Sequence, residues 1–197
     1  IAGRVSNADT TNSPTAGLVE LLTTVWFRGR PHTVAVDAGE VGADGEYEIS
    51  RVRPGSYWIR FRPSHSPTLC GDTSLPEQAT SDLLPTYYPS ALSLRDAIRV
   101  DVSAGERVSG LEIPARHGEA FTVSGKLRMS SGPPDFASLW LLPEDEEPTA
   151  WVIGSGMTGP GGEFRFLNVA PGTYTFFYLV GKREDISVGR VSLVVKD

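Results

Sequence analysis

The sequence predicts an all-β protein built as two tandem antiparallel β-sandwich domains. Three observations carry that reading. Glycine and proline number 21 and 15 in 197 residues, a density that suits many short strands and turns better than long helices. Short segments alternate apolar and polar residues with a period of two, the mark of half-buried strands. A fourteen-residue block also occurs twice. Asp44–Tyr57 reads D-G-E-Y-E-I-S-R-V-R-P-G-S-Y, and Gly161–Tyr174 reads G-G-E-F-R-F-L-N-V-A-P-G-T-Y.

Taken in order, Ile1–Val5 reads as a first strand, followed by strands near 17–27 and 32–38. The repeated block then supplies a strand, a turn and a second strand. Asp44-Gly45 and Gly161-Gly162 are hairpin-type dipeptides, because glycine reaches positive φ without steric cost. Pro54-Gly55 and Pro171-Gly172 suit the centre of a type II turn. In the strand that follows, Tyr57, Ile59 and Phe61 alternate with Trp58, Arg60 and Arg62, which places the first three inward. Tyr174, Phe176 and Tyr178 take the inward places in the second copy. Each turn-adjacent tyrosine can bond a nearby backbone group, as in a tyrosine corner. Further strands are expected near 98–103 and 107–114, then near 121–129, 136–142, 149–154 and 185–195. Only Ser93–Ala97 reads as helical, for barely a turn. Gly3-Arg4-Val5 matches Gly125-Lys126-Leu127 as the opening strand of each copy, and the boundary falls at Arg116–Glu119. The expected domains are therefore 1–117, with a long insertion at 63–92, and 118–197.

Charge and composition exclude several classes. The net charge of -6 lacks the basic footprint of a nucleic-acid binder. No apolar run is long enough to span a bilayer. Cys70 is the single cysteine, so an intrachain disulfide framework is impossible. No lysine occurs before Lys126, and neither an initiator methionine nor a signal-peptide pattern is present. The chain reads as a segment of a longer protein whose targeting signal lies elsewhere.

The residues G-R-V at 3–5, the D-G-E-Y-E-I-x-x-V-x-P-G-S-Y block, Tyr87-Tyr88-Pro89 and the I-x-V-x-V-x-x-G-x-x-V-x-G-L-x-I run from Ile98 to Ile113 resemble the carboxypeptidase regulatory-like domains. These are related to transthyretin-like and Cna B-type sandwiches. The resemblance covers most of residues 1–113, whereas the second copy matches only the central block and a first strand. It implies immunoglobulin-like or transthyretin-like sandwiches of seven strands, without their own catalysis. It also implies a secreted or cell-surface setting, as spacer, adhesive unit or companion of an enzyme, most naturally in a larger exported bacterial protein. The 63–92 insertion and the lack of a second Tyr-Tyr-Pro element depart from the pattern. A Cna B-type isopeptide bond is not expected: the first unit has no lysine, and Lys126 would need Asn168, which sits beside a turn.

No catalytic centre is expected. His32, His65 and His117 lie in different segments, and no nucleophile elbow, zinc-protease helix or phosphate-binding loop is present. His65, Cys70 and Asp72 share a loop, but a fourth ligand for structural zinc is missing. Asp37, Glu40 and Asp44 lack calcium-loop spacing. The acidic run Glu144–Glu147 reads as a solvated hairpin tip. No cofactor is implied. The candidate ligand-binding residues are Trp58, Arg60, Arg62, Tyr87 and Tyr88, because exposed aromatics stack on sugar rings and arginines hydrogen-bond them. Trp26, Trp140 and Trp151 are weaker sugar candidates, since most tryptophans in a sandwich are covered. Trp58, Arg60 and Arg62 are expected on a wet outer face, arginine stems covering apolar surface. Phe177 and Leu179, at the equivalent outer positions of the second copy, are candidate interface residues that should be covered. Candidate partners are neighbouring domains of the parent chain, carbohydrate or another protein.

Overall fold

The computed structural model describes residues 1–7, 17–63, 83–130, 132–134, 137–144, 146, 155–182 and 185–196. Of the 63–92 insertion, residues 64–82 lie outside that set, as does the strand expected at 149–154. The chain is all-β and divides into two compact units: Ile1–Ser64 with Asp82–Gly118, and Glu119–Asp197 with His65–Ser81. Unit 1 contains β1 (Ala2–Asn7), β2 (Gly17–Phe27), β3 (Arg30–Glu40), β4 (Glu46–Glu48), β5 (Gly55–Pro63), β6 (Thr86–Tyr87), β7 (Val100–Val102) and β8 (Leu111–Ala115). A single 3-10 turn, Leu94–Asp96, lies inside the segment read as briefly helical. Unit 2 contains β9 (Phe121–Lys126), β10 (Ala137–Pro143), β11 (Ser155–Met157), β12 (Glu163–Val169), β13 (Gly172–Lys182) and β14 (Asp185–Val195).

In unit 1 the order β3-β2-β5-β6, with β7 also on β5, makes one sheet, and β4-β1-β8 makes the other. Their facing sides share one core. Val19, Leu21, Tyr57, Ile59, Phe61, Val100 and Val102 come from the first sheet, and Val5, Tyr47, Leu111, Ile113 and Ala115 from the second. Each large apolar side chain so buried contributes about 1.5–3 kcal/mol. The period-2 alternation of β5 thus sends Tyr57, Ile59 and Phe61 inward. Unit 2 contains the sheets β11-β10-β13-β14 and β12-β9. Phe166, Val169, Leu139 and Ala137 are buried between them, with Phe164, Phe176 and Tyr178 packed against that core.

The repeated block folds the same way twice. Gly45 N–H donates to Gly42 O at 2.9 Å and Gly162 N–H to Gly159 O at 2.8 Å. Val5 N–H donates to Gly45 O, and Leu127 N–H to Gly162 O, both at 2.8 Å. Gly45 and Gly162 take φ of 84° and 81°, a region that favours glycine. The tyrosine corners match as well. Tyr57 O–H donates to Arg53 O at 2.7 Å, and Tyr174 O–H to Ala170 O at 2.8 Å.

Four expectations need correction. The Pro-Gly pairs do not centre type II turns: Gly55 and Gly172 open β5 and β13 as strand residues, and the left-handed residue just before the first pair is Arg51, φ 58°. The strand expected at 107–114 begins only at Leu111, directly after Gly110, whose φ of 75° is outside strand geometry; 103–106 is a turn in which Glu106 N–H bonds Ser103 O and its carboxylate accepts from Ser103 N–H. Among the described residues pairing is antiparallel except between β1 and β8, which run parallel. After β7 the chain crosses to the other sheet and re-enters it in the direction of β1. Finally, Glu146 is buried rather than a solvated tip residue, since its N–H folds back onto Pro143 O at 2.9 Å.

The matched corners yield a paired prediction. Tyr57→Phe and Tyr174→Phe should each destabilise its own unit by about 1 kcal/mol, the net worth of one hydrogen bond. Urea unfolding of each variant, followed by unit-specific hydrogen exchange, reads the two losses separately.

Candidate functional site

The pairing of β2 with β5 sets Leu18 opposite Arg62, Glu20 opposite Arg60 and Leu22 opposite Trp58. These residues occupy the side of the sheet away from the core, where a wet arginine face is expected. The structure overturns that for Arg60. Glu20 is 1% exposed, Arg60 5% and Tyr87 4%. Arg60 Nε donates to Glu20 Oε2 at 2.9 Å, with Nη2 2.8 Å from the same oxygen. Arg62 Nη2 lies 3.0 Å from Glu20 Oε1. The remaining arm of Arg60, Nη1, donates to the Tyr87 hydroxyl at 3.1 Å, across the rung that pairs β5 with β6. The Arg60 guanidinium also sits 5.5 Å from the centre of the Tyr87 ring.

The geometry follows from the pleat. Residues two apart on β5 point the same way, so Arg60 and Arg62 both reach the carboxylate projecting from β2. Burial alone would raise the Glu20 carboxyl, but the charges and hydrogen bonds of Arg60 and Arg62 outweigh it and hold the group below its ordinary value. The cluster stores charge in a fixed arrangement. It presents no nucleophile, and Arg60 has its guanidinium committed to Glu20 and Tyr87.

The other candidates separate. Trp58 is half-buried, and the Arg99 guanidinium lies over its ring, 3.8 Å from the centroid, while Arg99 Nη2 donates to Thr24 Oγ1 at 3.3 Å. A sugar could stack on that face of Trp58 only by displacing Arg99. Tyr88 packs against the hydrophobic core of unit 1, so the Tyr87-Tyr88 pair does not form one surface. Trp26, near the β2–β3 turn, is 71% exposed. Phe177 is 8% exposed and packs with Leu142 and Trp140 of the neighbouring β10. Leu179 is half-buried opposite Ser138.

Aligning the two tyrosine corners brings out an equivalence invisible in the one-dimensional repeat. The Glu20–Arg60 rung of unit 1 corresponds to the Trp140–Phe177 rung of unit 2. One unit fills this position with an ion pair, the other with two aromatic rings.

No protein-family model, curated protein or solved structure matches this chain. The residues themselves therefore carry the functional argument. Glu20 and Arg99 were missed by sequence reasoning. A lone carboxylate inside the apolar run Leu18–Leu22 was a signal for Glu20, because such a charge needs a buried partner. Nothing local marked Arg99. His117 bonds Asn7 through its ring, and His32 lies opposite Val25 on the β2–β3 hairpin. His65, Cys70, Asp72 and Trp151 lie outside the described residues. Among the described residues no three His, Cys, Asp or Glu side chains gather as a metal would require, and no helix is long and apolar enough to cross a membrane. Lys126 Nζ lies 2.6 Å from Glu163 Oε1.

Two predictions follow from the cluster. Glu20→Gln leaves buried guanidinium charge without its counter-ion and should cost about 3–5 kcal/mol. The double variant Glu20→Trp/Arg60→Phe, which copies unit 2, should lose clearly less in the same denaturant titration. Because the folded state depresses the Glu20 pKa, its contribution is complete above the ordinary carboxylate range. It is lost as pH falls through that range to the lower folded value. Acid unfolding of Glu20→Gln should therefore be less steep than that of the parent.

Proposed function

We propose that the chain comprises two tandem sandwich modules of the carboxypeptidase regulatory-like type. They act without catalysis as a structural or binding element of a larger, exported bacterial protein. Spacer, adhesive unit and companion of an enzyme are the roles compatible with that reading, and adjacent domains of the parent protein are the natural partners. The observation that supports it most is that Glu20, Arg60 and Tyr87 are buried and bonded to one another. Residues that could have read a ligand instead bind one another and tie β2, β5 and β6 together. The aromatic pair at the equivalent rung of unit 2 supports the same reading, since a position that exchanges an ion pair for two rings serves packing.

Trp26 favours a second reading, carbohydrate binding, because an indole so exposed can stack on a sugar ring. The two readings are separated by titration calorimetry against a panel of oligosaccharides. The structural reading expects no heat of binding; saturable heat abolished by Trp26→Ala would replace it with the carbohydrate reading. Assays on peptide, ester and glycoside substrates should give no turnover. Turnover that copurifies with the chain and vanishes in His117→Ala would refute the non-catalytic assignment.

A further inference from the structure

Three loops of unit 1 lie at one end of its sandwich, and they carry its arginines. The pairing of β2 with β3 runs to the rung Phe27–Arg30, so the Arg28-Gly29 turn marks that end. β5 is antiparallel to β2, with Trp58 opposite Leu22, which sets the start of β5 and the preceding segment 50–54 beside the same turn. β7 pairs Val102 with Gly55 and so brings the segment 103–110 there as well. Arg28, Arg30, Arg51, Arg53 and Arg107 are exposed on these loops, against the one carboxylate of Glu106, itself bonded to Ser103 N–H at 2.7 Å. Glu48 and Asp101 stand behind the loops, on β4 and β7. No acidic residue occurs between Glu20 and Asp37. Glu40, Asp44 and Glu46 are exposed at the opposite end, where β3 stops and β4 begins.

The hairpin tip at this end is amphipathic. Val25 and Trp26 point to opposite faces of β2, yet they are 39% and 71% exposed, so the hairpin meets water on both faces there. Its turn is tight: Arg28 and Gly29 take φ of 49° and 75°, as the two central residues of a type I′ hairpin must. A tip so built needs little ordering on contact, and it holds a cation at the apex where that turn favours asparagine. We propose that this end of unit 1 docks on the surface of an anionic phospholipid bilayer, with Trp26 at the headgroup level and the arginines on lipid phosphates. An indole prefers the membrane–water interface, and each arginine near an anionic surface strengthens binding by about fivefold. The two-sided exposure selects this partner. A sugar or peptide lying on one face of the hairpin would cover Trp26 or Val25 and leave the other wet. A bilayer interface surrounds the tip and takes both. The net charge of -6 repels the rest of the chain from such a surface, so the arginine-rich end leads.

Flotation of the 197-residue chain with lipid vesicles tests the surface. At low salt the chain should float with vesicles of phosphatidylglycerol and phosphatidylcholine in equal parts, and stay behind with phosphatidylcholine alone. Salt at about 0.5 M should release it, because the attraction is then screened. Arg28→Gln/Arg30→Gln should weaken binding by about 25-fold, and Trp26→Ala by about tenfold, with melting temperatures unchanged. Arg190→Gln, which removes an exposed cation from unit 2, should leave binding as it is. Absence of binding, equal binding to both vesicle types, or binding that the tip variants do not weaken overturns the proposal. So does saturable binding of oligogalacturonate or polyglutamate that the same variants abolish while vesicles stay unbound, because the end would then read an acidic polysaccharide or peptide.

Discussion

The buried carboxylate of Glu20 constrains unit 1 more tightly than any other single group. A charge so removed from water is tolerated only with close, well-oriented partners. Arg60 and Arg62 supply them from alternate positions of one strand, and Arg60 extends the link to Tyr87. The cluster therefore ties β2, β5 and β6 into a single register: a shift of β5 by one residue would turn both arginines to the opposite face and leave the carboxylate buried alone. Tyr87 carries the same constraint into the described part of the 63–92 insertion, where β6 is only two residues long and could not hold its place by ladder bonds alone.

Unit 2 meets the same geometry with different chemistry. Trp140 and Phe177 occupy the rung of Glu20 and Arg60 and need no compensating charge. What stays constant between the copies is the backbone machinery: the glycine turn, the bond from the first strand into it and the tyrosine corner. Side-chain packing tolerates exchange when volume is conserved. A left-handed turn or a hydroxyl-to-carbonyl bond has few substitutes, so these features are the ones that repeat. The outer faces diverge instead, an ion pair in one unit answering to two aromatic rings in the other.

Edges add a further contrast. β3, an edge of its sheet, carries Pro31 and a bulge between Leu21 and Leu22 of its partner's register, both recognised defences against unwanted pairing. β14 runs in unbroken register with β13 over its whole length and exposes Ile186, Val188, Val191 and Val194. Among the described residues, unit 2 also has the smaller set of fully buried side chains.

The all-β class, the repeat, the positions of most strands and the inward set Tyr57, Ile59 and Phe61 could all be read from the sequence, because each depends on contacts within a few residues. Glycine at Gly45 and Gly162, the Tyr57 and Tyr174 corners, and period-2 alternation act over such distances. What the outer face does could not be read that way. Arg60 looks solvated on its own strand, and only the arrival of Glu20 from β2 and Tyr87 from β6 buries it. Arg99 reaches Trp58 only because β7 pairs with β5, and Tyr88 turns to the core while Tyr87 does not. The parallel placement of β8 is likewise a tertiary decision. Local periodicity specifies which residues share a face; what lies against that face is set by strands far away in the chain, whose pairing no local pattern encodes.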